Sequence, residues 1–167
     1  MPDKAYPQNP RDLLPAEQVL LGATRLWAGK SRMPKHAFDA VQNYYGMFDI
    51  KDAAKSHVAI LSNSAAAGRR ALTINVLCNP NLTLDESHIV HAVAYTQRGD
   101  IDRASATLSN WLPLEAVRLT MPAMSALADN LIAKRLVAPL RPWSCAPDLR
   151  GFMHHGTIVE ELSSLAH

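Results

Sequence analysis

The chain has 167 residues, of which 48% are hydrophobic and 19% charged, so its composition is that of one folded globular domain and excludes a disordered protein. The 17 Lys and Arg residues nearly balance the 15 Asp and Glu residues, and the net charge of +2 gives no strong overall attraction to nucleic acid. Charged residues such as Arg25 interrupt the apolar runs, and no secretory signal pattern opens the chain, so we expect a cytoplasmic protein without membrane contact.

The spacing of proline and glycine residues divides the chain into four parts. Residues 1–14 predict an irregular N-terminal arm, and residues 15–140 predict a helical domain. Residues 141–156 predict an irregular segment, followed by a C-terminal helix over 157–167. A helix this short is marginal alone, so we expect it to dock, preferably on another chain.

Three helices are predicted in the first half of the helical domain. Pro15 and Pro34 suit the first turns of the first two helices, and Gly46 ends the second. Asp49 is a candidate N-cap for the third helix, which continues toward Gly68.

Two short segments alternate apolar and other residues with a period of two, as β-strands do. The first is 72–78, in which one face carries Leu72, Ile74, Val76 and Cys78. The second is 136–140. Because a lone strand leaves its backbone hydrogen-bonding groups unsatisfied, we expect these two segments to pair, with Cys78 buried and unmetallated.

A capping box opens the next predicted helix, with Thr83 as the N-cap and Glu86 three residues later. The adjacent Asp85 and Glu86 carboxylates also complement the positive end of the helix dipole. Gly99 ends this helix, and Asp100 is placed to cap the following one.

The order of elements after Gly99 is that of a winged helix-turn-helix, with helices over 100–110, 113–120 and 121–135 and then the strand-like 136–140. Pro122 underlies the predicted break between the last two helices. The exposed positions of the helix that would enter the DNA groove are Ser125, Asp129 and Asn130. Since clustered Lys and Arg supply most of the affinity for DNA, these residues do not favour this alternative.

The predicted fold class is therefore mainly α: a single-domain bundle of six to eight helices with one short two-stranded β element, 72–78 paired with 136–140.

Residue types that bind zinc occur at Cys78, His88, His91 and Cys145. Their spacing matches no zinc signature, and Cys78 and the two histidines are predicted to face different directions. We therefore expect neither a metal nor a cofactor.

A second semi-apolar stripe, formed by His88, His91 and Tyr95, lies opposite the core stripe of its helix. Such a helix is either covered on both sides or presents one side to a partner. Further candidates for a partner surface are Trp143, Phe152, Ile158, Leu162 and Leu165.

No nucleophile elbow, metalloprotease helix or phosphate-binding loop is present in the sequence. We therefore predict a non-enzymatic cytosolic protein-interaction or regulatory module, with a protein partner or a second copy of itself. The alternatives are a winged-helix-like DNA-binding regulator and, third, a small enzyme or metal-binding protein that uses His88 and His91.

Overall fold

A computed structural model describes residues 12–141 of the chain, and six α-helices form in that range. They are α1 (Pro15–Lys30), α2 (Pro34–Gly46), α3 (Ala53–Ala67), α4 (Leu84–Gln97), α5 (Ile101–Leu108) and α6 (Leu114–Ala133). The predicted mainly α fold is confirmed. The predicted two-stranded element is wrong, because the described residues include no β-strand.

Residues 1–11 and 142–167 lie outside the described range. Most of the arm predicted over 1–14, nearly all of the irregular segment predicted over 141–156 and the helix predicted over 157–167 therefore lie outside it as well. None of the six described helices combines the length and apolar character that crossing a bilayer requires.

Prolines and glycine set the ends of the first two helices as predicted. Pro15 opens α1, and α2 runs from Pro34 to Gly46. The predicted cap of α3 is wrong, because Asp49 has a φ of 57°, in the left-handed region, and the helix begins only at Ala53. The Asp49 carboxylate instead accepts a hydrogen bond from Lys134 Nζ at 2.6 Å, which joins this turn to the end of α6.

Helix α4 is the centre of the fold, since α1, α5 and α6 all pack against it. Its capping box is confirmed: Thr83 Oγ1 accepts from the Glu86 amide at 3.0 Å, and the Glu86 carboxylate accepts from the Thr83 amide at 2.9 Å. Ile89, Val90 and Val93 are buried in the main hydrophobic cluster. The helix is buried around nearly its whole circumference, so it shows no amphipathic pattern.

Helix α5 begins as predicted, with Asp100 Oδ1 accepting from the Arg103 amide at 3.2 Å. Ile101, the first residue of this helix, is exposed. The predicted break at Pro122 is also wrong, because α6 continues through it for 20 residues. Pro122 and Arg118 are both on the exposed side, so the carbonyl that loses its helical hydrogen bond is near solvent.

The continuity of α6 removes the structural pattern behind the winged-helix alternative. The two helices predicted over 113–120 and 121–135 are one helix, α6, and no strand follows within the described residues. The segment 136–140 is instead held by a side chain: Gln97 donates to the Leu136 carbonyl and accepts from the Ala138 amide, both at 2.8 Å. The side-chain amide of Gln97 thus makes the hydrogen bonds that a neighbouring strand would otherwise make.

We predict that Thr83→Ala lowers the free energy of unfolding by about 1–2 kcal/mol, since α4 loses its N-cap. The same hydroxyl also donates to the Thr73 carbonyl at 2.6 Å, so the loss should fall at the upper end of that range. Urea unfolding measures the change, and Thr83→Ser, which keeps the hydroxyl, is the matched control. Equal losses in the two variants would show that the hydroxyl is not responsible.

Candidate functional site

The segment between α3 and α4, residues 69–83, crosses the ends of α1 and α4 without forming a helix or strand. Its contacts alternate with a period of two. The amide of Thr73 donates to Asp85 Oδ2 at 2.7 Å and that of Asn75 donates to Glu86 Oε1 at 3.1 Å, whereas Leu72 and Ile74 face the other way, along a cleft. This alternation is that of an extended chain.

A buried ion pair fastens this segment to the rest of the protein. Arg25 Nε lies 2.7 Å from Glu86 Oε1, and the two side chains are 2% and 0% exposed. The remaining Arg25 donors reach the carbonyls of Asn79 at 2.7 Å and Asn81 at 2.6 Å. The pair therefore fixes the backbone between Asn75 and α4 in one conformation.

A second ion pair supports the start of the same segment. Arg70 donates to both carboxylate oxygens of Asp85, at 2.8 and 2.6 Å. Burial raises the pKa of Asp85, but the hydrogen bonds from Arg70 and from the Thr73 amide outweigh this effect, so the net pKa lies below its ordinary value. Asp85 is consequently ionised at neutral pH and acts as a fixed acceptor for backbone.

The segment forms one wall of an open cleft of about 510 Å³. The other walls come from the end of α1, with Ser31 just after it, and from the second half of α3. The lining residues are Trp27, Ala28, Ser31, Leu61, Ala65, Ala71, Leu72 and Ile74. The lining is apolar apart from Ser31, whose hydroxyl donates to the Ala28 carbonyl at 3.1 Å. A cleft of this volume lies within the usual range for ligand sites.

The backbone beside the cleft has one edge without hydrogen bonds. The amide and carbonyl groups of Leu72 and Ile74 pair with no other group in the described chain, whereas Thr73 and Asn75 are bonded on the opposite side. We call the four groups of Leu72 and Ile74 the outer edge. Leu72 and Ile74 are half-buried and line the cleft, so the residues that carry the outer edge are also residues of the cleft wall.

Basic residues adjoin the cleft walls. Lys30 and Arg32 are exposed on either side of Ser31 in the chain, and the salt bridges of residues 12–141 include neither of them. Arg69, on the opposite wall, donates to the Leu112 carbonyl at 2.8 Å. Two cations thus flank the cleft-lining Ser31 in the chain, which places positive charge close to the α1 side of the cleft.

The histidines predicted as partner-surface residues, His88 and His91, are buried in α4, and so do not form an exposed surface. His88 stacks on Trp111 with ring centroids 6.2 Å apart, and His91 lies 6.4 Å from the ring of Tyr95. Burial lowers the pKa of each histidine to about 4, so both are neutral at pH 7. Tyr95 is half-buried, with Arg103 5.9 Å above its ring.

Cys78 was predicted to be buried, and this is wrong: it is exposed, next to the exposed Val76 and Leu77. The chain turns here, with the Asn79 amide donating to the Val76 carbonyl at 3.0 Å, so the alternation ends after Ile74.

The zinc-type residues are not brought together in the described part of the chain, where no group of three His, Cys, Asp or Glu side chains is placed to hold a metal ion. The remaining candidates lie outside the described residues. They are Cys145, Trp143, Phe152, Ile158, Leu162 and Leu165.

A fully buried polar network lies in the core, away from the cleft lining. Thr24 Oγ1 donates to the Leu20 carbonyl at 2.8 Å, so its oxygen accepts from His57 Nε2 at 3.0 Å. His57 Nδ1 then accepts from the Tyr45 hydroxyl at 2.6 Å. Burial lowers the pKa of His57 to about 4, and the neutral ring satisfies both neighbours.

Neither Arg25 nor the cleft follows from the sequence patterns. In the sequence, Arg25 only interrupts an apolar stripe. Asp85 and Glu86 have the pattern of ordinary carboxylates in a first helical turn. The signal for their pairing is an arginine on the buried face of one helix together with two adjacent carboxylates that open another buried helix.

Comparison of the chain with protein-family models, with curated proteins and with solved structures finds no match.

We predict that Arg25→Met lowers the free energy of unfolding by about 3–5 kcal/mol, because it leaves the Glu86 carboxylate buried without its cation. Urea unfolding gives the value. Arg103→Met is the control, since its partner Asp100 is 3.6 Å away in an exposed pair, and it should change stability by less than about 0.5 kcal/mol. Similar losses in both variants would contradict the central role given to Arg25.

We predict that His57 makes the protein less stable as the pH falls from about 6.5 to about 4. In that window the unfolded chain binds a proton at this position and the folded chain does not. His57→Gln should remove about 1.4 kcal/mol per pH unit from the dependence of stability on pH, measured by urea unfolding between about pH 6 and 4.5. The slope is the readout, so a uniform loss from altered packing does not obscure it. An unchanged slope would mean that His57 titrates alike in both states.

Proposed function

We propose that the protein is a non-enzymatic protein-interaction module that holds a segment of a partner protein in the cleft. The observation that carries this proposal is the cleft itself, with its apolar lining beside the unbonded outer edge. Burial of apolar side chains supplies binding affinity, and hydrogen bonds to the unpaired backbone groups orient the bound chain.

The way the wall is built supports a binding role. The 69–83 segment is fastened along its inner edge by two ion pairs, Arg70 with Asp85 near its start and Arg25 with Glu86 farther along. A wall that is already ordered loses little conformational entropy when a ligand binds, so more of the contact energy appears as affinity.

The chemistry of the charged groups behind the wall agrees with this role. Arg25, Asp85 and Glu86 all bond to backbone amides or carbonyls of the segment. Their charges are thus used to hold the chain in place, and the surface offered to a ligand is made of apolar side chains and backbone.

We predict that the full-length protein enriches binders from a random library of displayed 12-residue peptides, and that filling the cleft abolishes their binding. Ala65 lines the cleft, so Ala65→Trp should weaken an enriched peptide more than about tenfold in a fluorescence-anisotropy titration. The neighbouring Ala66 is exposed and outside the lining, so Ala66→Trp is the matched control and should leave affinity within about twofold.

Urea unfolding of both variants checks that the fold is retained. Failure to enrich any peptide, or equal binding by both variants, would overturn the proposal. Salt-sensitive binding to double-stranded DNA without peptide binding would replace it with the nucleic-acid alternative. Sedimentation over a concentration series shows whether a second copy is the partner, because Ala65→Trp would then reduce the mass in solution.

A further inference from the structure

We infer that the partner's segment binds as an added β-strand, pairing its backbone with the outer edge of Leu72 and Ile74. This inference rests on the proposed function and specifies the ligand: an extended peptide with apolar side chains at alternate positions and acidic residues at its ends.

The first step is the spacing of the unbonded groups. Leu72 and Ile74 are two residues apart, so their amides lie about 6.8 Å from each other along an extended chain. Every second residue of another extended chain presents an amide and a carbonyl at this same spacing. A helical ligand has already used its backbone groups internally, so it would leave the outer edge unbonded, which costs free energy when that edge is covered.

The second step is the position of the cleft. A strand added beside the 69–83 segment lies about 4.8 Å away, and its side chains alternate between the two faces of the pair. The side chains that point the same way as Leu72 and Ile74 enter the cleft, where Trp27 and Leu61 form the opposite walls. Cleft and edge therefore select the same ligand conformation.

The third step is the composition of the edge. Natural proteins block exposed strand edges with lysine, proline or a bulge. Residues 71–76 read Ala-Leu-Thr-Ile-Asn-Val and contain no charge and no proline. The edge is left open to pairing, while its inner side is closed by Asp85 and Glu86.

The fourth step is charge. Lys30 and Arg32 flank Ser31 on the α1 wall and are exposed, without an ion pair to another described residue. Glu86 and Asp85, the carboxylates nearest the segment, are already neutralised by Arg25 and Arg70. The charge at the rim thus favours acidic residues next to the apolar positions of the ligand.

The test uses full-length, ¹⁵N-labelled protein and a synthetic probe, acetyl-Glu-Glu-Val-Thr-Val-Thr-Val-Glu-Glu-amide. We expect saturating probe to slow hydrogen exchange of the Leu72 and Ile74 amides by at least about tenfold, because they gain a partner. The Thr73 and Asn75 amides are already bonded to carboxylates, so their exchange should change by less than about twofold.

Two methylated forms of the probe supply the control, one with N-methyl groups on its valines and the other on its threonines. Only one of these sets of amides faces the outer edge, so one form should bind at least about tenfold more weakly and the other within about twofold of the parent. Equal binding by both forms would overturn strand addition.

The charge of the ligand is tested separately. Lys30→Glu combined with Arg32→Glu should weaken the probe about fivefold, and replacing its glutamates with lysines should restore the affinity. Lys55→Glu, at the other end of α3, is the control and should have no such effect. Loss of affinity in Lys55→Glu alone would contradict the assigned rim.

Failure of this inference can be told from failure of the proposed function. If enriched peptides bind in the cleft and Ala65→Trp blocks them, but the Leu72 and Ile74 amides exchange as fast as before, strand addition is wrong and the interaction module stands. If neither the enriched peptides nor the probe binds, both are wrong.

Discussion

The buried pair of Arg25 and Glu86 is the interaction on which the rest of the site depends. Removing two charges from water costs several kcal/mol, and the cost is offset only when every donor and acceptor is bonded. Here Glu86 accepts from Arg25 and from the amides of Asn75 and Thr83, while Arg25 also donates to the Asn79 and Asn81 carbonyls. One pair thereby joins α1, α4 and the 69–83 segment.

Side chains replace neighbouring strands at two places in this fold. Gln97 bonds one amide and one carbonyl of 136–140, and Asp85 and Glu86 bond alternate amides of 71–76. Each segment keeps the alternating pattern of a strand because one side still faces the core. Since a side chain can satisfy only the edge it reaches, the segment beside the cleft is left with its outer edge open.

Several helix ends that depend on local chemistry were predicted correctly, although the Asp49 cap was not. The Pro34–Gly46 helix, the Thr83 capping box and the Asp100 cap depend on residues within one turn. The predictions failed where the structure depends on a contact with a residue distant in sequence, or on which side of a helix faces solvent. Pro122 breaks nothing because it faces outward, and Arg25 meets a carboxylate 61 residues away, a separation that no periodic pattern encodes. The cleft could not be predicted for the same reason, since its walls come from three separate stretches of chain.

An unbonded edge of extended chain invites uncontrolled pairing, and the structure shows what limits this one. The unbonded groups belong to Leu72 and Ile74, and the chain turns just beyond them, where the Asn79 amide donates to the Val76 carbonyl. An edge this short can pair with only a few residues of another chain, which is too little to propagate a sheet. In the proposed complex, specificity would come from the ligand side chains placed in the cleft, so the backbone edge and the apolar walls would act together.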